Sequence, residues 1–124
     1  MQLYACVGSN DLSKSLPFYG ALLGEIGWEP LFDNPSGGRF FGSVDDGIFG
    51  VVTPFNDGPA TVGNGTMIGF SFPNQQEVNQ FYMSALALGA ADEGKPGDRG
   101  GGYYFAYFRD LEGNKLCAWT SSPT

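Results

Sequence analysis

The sequence predicts an α+β fold: two tandem βαβββ modules forming a curved mixed sheet, a half-barrel trough with the helices on the outside. Three observations lead there. The stretch FYGALLG at 18–24 returns as FYMSALALG at 81–89. Each copy follows a short alternating segment and residues able to cap a helix. Each precedes a similar pair of segments, GGRFFGSVDDGIFGVVT in the first half and GGYYFAYFRDLEGNKLCAWT in the second. Three matched features in one order mark a duplicated unit, and two copies at this long period are too few for a solenoid. The expected organisation is a single domain over 1–124, with module 1 at about 1–55, a linker at about 56–65 and module 2 at about 66–124.

The elements follow in chain order. QLYACVG at 2–8 alternates, with Leu3, Ala5 and Val7 on one face and Tyr4, Cys6 and Gly8 on the other. SNDLSKS opens a helix, where Asn10 or Asp11 can cap free N–H groups. Leu12, Leu16, Tyr19, Leu23 and Ile26 recur at helical spacing, and Gly24 and Gly27 are candidate stops. Pro17 deletes a backbone bond inside that helix, so a kink or an irregular first turn is expected. WEPLFD, GGRFFGSVD and GIFGVVTP read as strands, the last two joined by the turn DDG. FNDGPATVGNG at 55–65 is a connection.

The pattern then restarts. TMIGFSF at 66–72 is a strand with Ile68, Phe70 and Phe72 on one face and Met67, Gly69 and Ser71 on the other. Asn74 and Glu77 have capping-box spacing ahead of a second helix, whose apolar stripe is Val78, Phe81, Ala85 and Leu88 and whose end Gly89 fits. DEGKPGDRGGG at 92–102 reads as a loop with a short strand nearby. YYFAYFRD and NKLCAWT are strands across the turn DLEG. One helix per half covers one face of its sheet, which leaves the opposite faces to form the trough.

Composition bounds the function. Acidic residues number 13 against 6 basic ones, a net charge of −7. A phosphate backbone would be repelled, so no nucleic-acid partner is expected, and a cationic small molecule would be attracted. No apolar run is long enough to cross a bilayer, and the N-terminus lacks a basic-then-apolar leader, so the expectation is no membrane partner and a cytoplasmic location. Histidine is absent, which removes the commonest metal ligand and general base. Cys6 and Cys117 are too few for a disulfide framework and match no zinc spacing, so both read as reduced, inert thiols. Asp45 and Asp46 fall in a tight turn rather than a catalytic pair. Arg99 in GDRGGG has the charge to clamp an anion, but the stretch lacks phosphate-loop spacing and reads as a flexible loop.

VGSNDLSKSLPFYGALLG at 7–24, PFNDGPATVGNGTMIGF at 54–70 and FRDLEGNKLCAW at 108–119 together carry a resemblance over nearly the whole chain. It resembles the vicinal oxygen chelate superfamily, which includes glyoxalase I, extradiol dioxygenases and bleomycin resistance proteins. Enzymes of that family hold a divalent metal with His, Glu or Gln side chains on the trough-facing strands. At the matching positions this chain has Tyr4, Met67 and Cys117, and the fourth falls somewhere within Phe49 to Val51, in GIFGVV. The resemblance therefore implies a member without the usual ligands: no cofactor, no metal and no catalytic residue. It would bind an unidentified small, partly apolar molecule, as the family's resistance proteins do. The expected lining of the trough is Tyr4, Cys6, Phe49, Met67, Tyr104, Cys117 and Trp119. The aromatic run Tyr103, Tyr104, Phe105, Tyr107 and Phe108 reads mostly as core, with alternate members as candidates for the trough lining. The family also implies a homodimer, favoured by apolar edges such as Trp28 and Phe32.

Two other readings stay open at this point. One is a lyase, isomerase or dioxygenase drawing its metal ligands from carboxylates such as Glu25, Glu29 or Asp33. The other is a non-catalytic structural or partner-binding module whose trough is filled by its own side chains.

Overall fold

The computed structural model describes residues 2–43 and 45–121. The α+β class and the two βαβββ modules are both present. The chain divides into two compact units, with the boundary between Gly63 and Asn64.

In the first unit, β1 (Leu3–Gly8) leads into α1 (Leu12–Gly24), followed by β2 (Glu29–Asp33), β3 (Gly38–Ser43) and β4 (Gly47–Val52). The sheet order is β1-β4-β3-β2. β1 runs parallel to β4 and the remaining pairs are antiparallel. The core lies between α1 and one face of this sheet: Phe18, Tyr19, Leu22 and Leu23 are buried with Val7, Phe41, Phe49 and Val51.

α1 continues through Pro17, whose ring sits on the exposed side. Its start differs from the expectation, because neither Asn10 nor Asp11 caps it with a side chain. Asp11 occupies the cap position without a side-chain cap bond and accepts instead from the Ser13 hydroxyl. Asn10 is spent elsewhere: its amide donates to the Ala60 carbonyl and its Oδ1 accepts from the Ala60 N–H. That pair fastens the segment after β4 to the head of the helix. Ser9 and Ser15 share a buried hydroxyl contact of 2.7 Å, and Ser9 Oγ also accepts from the Asp11 N–H.

In the second unit, β5 (Ile68–Ser71), α2 (Gln75–Ala87), β6 (Ala91–Asp98), β7 (Tyr104–Arg109) and β8 (Lys115–Thr120) repeat the plan. The order is β5-β8-β7-β6, with β5 parallel to β8. The capping box at α2 forms: the Glu77 N–H donates to Asn74 Oδ1 at 2.9 Å, and the Asn74 amide donates to the Glu77 carboxylate at 3.0 Å. The turn DLEGN is built around a buried carboxylate. Asp110 Oδ1 accepts from the N–H groups of Glu112 and Asn114, and Oδ2 accepts from the Asn114 amide.

The repeated FY pair is a matter of core register. Phe18 and Tyr19 in α1, and Phe81 and Tyr82 in α2, are all buried against their own sheets. Both helices also stop in the same way. Gly27, at φ +83, and Gly89, at φ +110, take the left-handed conformation that glycine reaches without a Cβ clash. The N–H of the next residue then bonds five residues back, Trp28 to Leu23 and Ala90 to Ala85.

The stretch 92–102, read as mostly loop, largely forms an eight-residue edge strand, β6. Pro and Gly hid it. Its pairing with β7 slips twice, between Asp92 and Gly94 and between Gly94 and Gly97. An edge strand with bulges tolerates the missing N–H of Pro96. β5 is shorter than expected, and Met67 lies just before it.

Candidate functional site

Each sheet has a helix on one face, so candidate binding residues lie on the other. Strand register decides which residues those are, because directly paired residues share a face. In the first unit Cys6 pairs with Gly50, and Gly50 with Phe40. Tyr4 has the same parity, and its ring lies 5.3 Å from that of Phe40. Phe32 stacks on Phe40 from the other side at 4.9 Å and 19°. The result is a row Tyr4–Phe40–Phe32 with Gly50 beneath it. A Cβ on Gly50 would come within 2.6 Å of the Phe40 ring, so the glycine is what lets that ring lie flat across the sheet.

Beside this row is a depression of about 520 Å³, lined by Cys6, Phe40, Asn34, Thr53, Phe55 and Asn56 among others. That volume suits a small organic molecule. Phe55 is fully exposed, an apolar ring at the margin with no packing role. Two side chains of the wall are already oriented: the Asn34 amide donates to the Gly37 carbonyl, and Asn56 Oδ1 accepts from the Gly58 N–H.

In the second unit Gly69 pairs with Cys117, Cys117 with Tyr107, and Trp119 with Phe105. These form the face turned away from α2. Phe105 stands between Tyr107 at 5.7 Å and 16° and Trp119 at 5.8 Å and 13°, with Tyr103 6.2 Å from Trp119. Two cations reach the same ring: the Arg99 guanidinium is 5.5 Å and the Lys115 ammonium 5.1 Å from the Tyr107 centroid.

The residues expected in the trough are therefore divided. Tyr4, Cys6, Cys117 and Trp119 lie on helix-free faces, while Met67 is exposed just outside β5. Phe49 does not belong with them. It pairs with Ala5 and Phe41, points to the helix side and meets the Tyr19 ring at 5.1 Å. Tyr104 is likewise on the helix side, where its hydroxyl donates to Asn79 Oδ1 on α2 at 2.7 Å. A one-residue error in parity moves a side chain to the opposite face, and both assignments carried that error. Phe40, Phe55, Arg99 and Lys115 were not expected as lining, and Phe105 and Tyr107 only as members of the aromatic run. Counting back from Phe108, which packs on Phe81 of the helix at 6.0 Å, would have placed Phe105 on the opposite side from the core.

Within the span Phe49 to Val51, the duplicated register picks out Gly50 as the counterpart of Cys117. Gly50 stands in the first sheet where Cys117 stands in the second, each beside an aromatic residue of the neighbouring strand. A divalent metal does not fit this donor set. Gly50 has no side chain, Met67 offers a weak thioether and Tyr4 a lone phenol. Cys117 is 2% exposed, and burial pushes its thiol up to about 11, away from the thiolate that metals bind. Among the described residues no three His, Cys, Asp or Glu side chains are gathered so as to hold a metal, Glu25, Glu29 and Asp33 included. Asp33 instead accepts from the Arg39 guanidinium at 2.8 Å.

Comparison with known proteins agrees with this architecture. The family model for the Glyoxalase/Bleomycin resistance protein/Dioxygenase superfamily matches residues 2–118. A glyoxalase/bleomycin resistance protein from Albidiferax ferrireducens T118 is similar in structure at 42% identity, with a TM-score of 0.82 over 94% of this chain and 95% of that one. A lactoylglutathione lyase from Agrobacterium tumefaciens shares the fold at 21% identity and a TM-score of 0.69, covering 95% of this chain and 92% of its own. TioX from Micromonospora sp. ML1 does so at 17% identity and a TM-score of 0.66, over 98% of both chains. No curated protein matches. Among the described residues no helix is long and apolar enough to cross a membrane. With a family model spanning residues 2–118 and a 42% identical relative of the same fold, the chain belongs to the glyoxalase/bleomycin resistance protein/dioxygenase superfamily.

Proposed function

We propose that this protein is a metal-independent binding protein for a small, partly apolar molecule. One observation carries the reading: the helix-free face of each sheet presents aromatic rings beside the positions at which the family's enzymes hold a metal, and those positions here offer no suitable ligand set. Tyr4, Phe40 and Phe32 line one such face, and Phe105, Tyr107 and Trp119 the other. Aromatic rings supply contact area without demanding a charged partner. The depression beside Phe40 supports the same reading. The working form is proposed to be a homodimer, supported by Leu31 and Phe32, which are 48% and 50% exposed on the edge strand β2.

A thermal-shift screen of small aromatic compounds of differing charge tests this, since a ligand of the native state raises the melting temperature by mass action. A shift that persists after dialysis against a chelator is the expected result. Stoichiometric zinc, nickel or iron in protein purified without a metal-affinity tag, with lyase or dioxygenase activity that disappears on chelation, would overturn it.

A further inference from the structure

We propose that the helix-free face of the second unit is a site for a planar aromatic anion, a ring system bearing a carboxylate or similar acid. This rests on the binding function proposed above and names the ligand's class.

The argument starts from charge placement. The chain carries −7 overall, yet four of its six basic residues, Lys95, Arg99, Arg109 and Lys115, fall within 95–115. Three basic residues of the chain are spent on carboxylates: Lys14 on Asp11, Arg39 on Asp33 and Arg109 on Glu93. Arg99 and Lys115 are not. Among the described residues neither has a carboxylate in salt-bridge contact; each lies over the Tyr107 ring instead. The acidic residues of the adjacent β6 are engaged elsewhere. Asp92 accepts from the Tyr82 hydroxyl and the Gly94 N–H, Glu93 from Arg109, and Asp98 from the Gly100 N–H. Two cations therefore converge on one ring, and among the described residues no carboxylate pairs with either, which leaves their charge for an anion from outside.

The backbone is shaped to bring Arg99 there. Its guanidinium donates to the Lys95 carbonyl at 2.6 Å and lies across Gly97 and Gly94. A Cβ on Gly97 would come within 2.8 Å of the Arg99 guanidinium, and one on Gly94 within 2.9 Å of the Tyr107 ring. The glycines that made this stretch look like a loop are the clearance for an arginine folded back over its own strand.

The apolar half of the ligand follows from the neighbouring rings. Phe105 lies within 16° of parallel to Tyr107 and 13° of Trp119, and Tyr103, 48% exposed, extends the strip. A planar ring laid along Phe105 and Trp119 puts an acidic substituent toward Lys115 and Arg99. A cationic ligand, which the net charge alone favours, finds the cation seat over Tyr107 already taken by Arg99 and Lys115.

The test uses naphthoate, naphthylmethanol and naphthylmethylammonium, one ring system with three charges, titrated calorimetrically into the full chain. Naphthoate is expected to bind about tenfold or more tighter than the alcohol, the worth of one or two charge-assisted bonds, and the ammonium weakest. In about 1 M salt, where the Debye length falls to about 3 Å, the advantage should shrink several-fold. Lys115→Gln and Arg99→Gln, alone and together, should abolish the preference for the anion while naphthylmethanol binding persists. If the alcohol or the ammonium binds the wild type as tightly as naphthoate, the anion site is refuted and the broader binding function survives. If no probe binds, or if a second copy of the chain covers this face and excludes them, the proposal also falls. Because the wild-type comparison needs no variant, a poorly folded double mutant does not rescue it.

Discussion

The indole of Trp119 lies almost parallel to the ring of Phe105, with 13° between planes and 5.8 Å between centroids. The two residues are direct partners across β7 and β8, so the sheet itself holds the stack in place. Replacing Trp119 by Leu keeps an apolar side chain but loses the stacking. The expected loss is about 1 kcal/mol, measured by urea denaturation, together with weaker binding of aromatic probes. Unchanged affinity would remove this face from the site.

Gly38 has φ +115, and a Cβ there would collide with the Val51 carbonyl where β3 meets β4. Gly38→Ala is expected to destabilise by about 3 kcal/mol, combining backbone strain with a steric clash. Gly24→Ala, with nothing within 4 Å, is the control. It sits at the end of α1, where alanine's helix preference makes the change neutral or slightly stabilising. Equal effects in the two variants would contradict this assignment of strain.

Asn74→Ala removes the side-chain cap of α2 and with it the bond to the Glu77 N–H. About 1 kcal/mol of stability should be lost. Asp11→Ala in α1 should cost less, because Asp11 makes no side-chain cap bond there. Thermal denaturation of the two variants side by side decides the order.

Burial raises the Cys117 thiol from an ordinary 9.0 to about 11. Between those values the native state keeps a proton that the unfolded chain has released, so stability falls as pH rises through that window. The total is on the order of 3 kcal/mol at most for a shift of this size. Tyr82 is also raised, by burial and by its bond to Asp92, so the informative quantity is the difference between wild type and Cys117→Ala. The variant should show a shallower alkaline decline in denaturation midpoint. At neutral pH a thiol reagent should modify Cys6, which is exposed, and reach Cys117 only after unfolding.

A homodimer should give twice the 13.2 kDa chain mass in light scattering. If β2 contributes to the contact, Phe32→Lys should shift the equilibrium toward monomer. A wild type that remains monomeric at high concentration would dispose of the dimer.

Much of the architecture was legible because duplication wrote it twice. The FY pairs, the glycine stops at Gly27 and Gly89 and the matched hairpins each constrain the other copy. The helix-side core was legible for the same reason: Leu116 and Ala118 are fully buried opposite Cys117, as alternation requires. The binding faces were less so. Phe49 and Tyr104 were assigned one position out of phase, and only strand register or a bond such as that from Tyr104 to Asn79 decides between adjacent residues. β6 was obscured because its glycines serve Arg99 and Tyr107 rather than a turn, a relation between side chains that no local pattern carries.

Each sheet is completed by strands from its own half of the chain: the last partner of β1 is β4, ending at Val52, and that of β5 is β8. Every strand pairing of the first sheet is thus available before β5 has been synthesised. During translation the N-terminal half need not wait with unsatisfied edges for a distant partner, and errors in which a strand joins the wrong sheet have less time to occur. The tandem arrangement permits assembly in chain order, one half after the other.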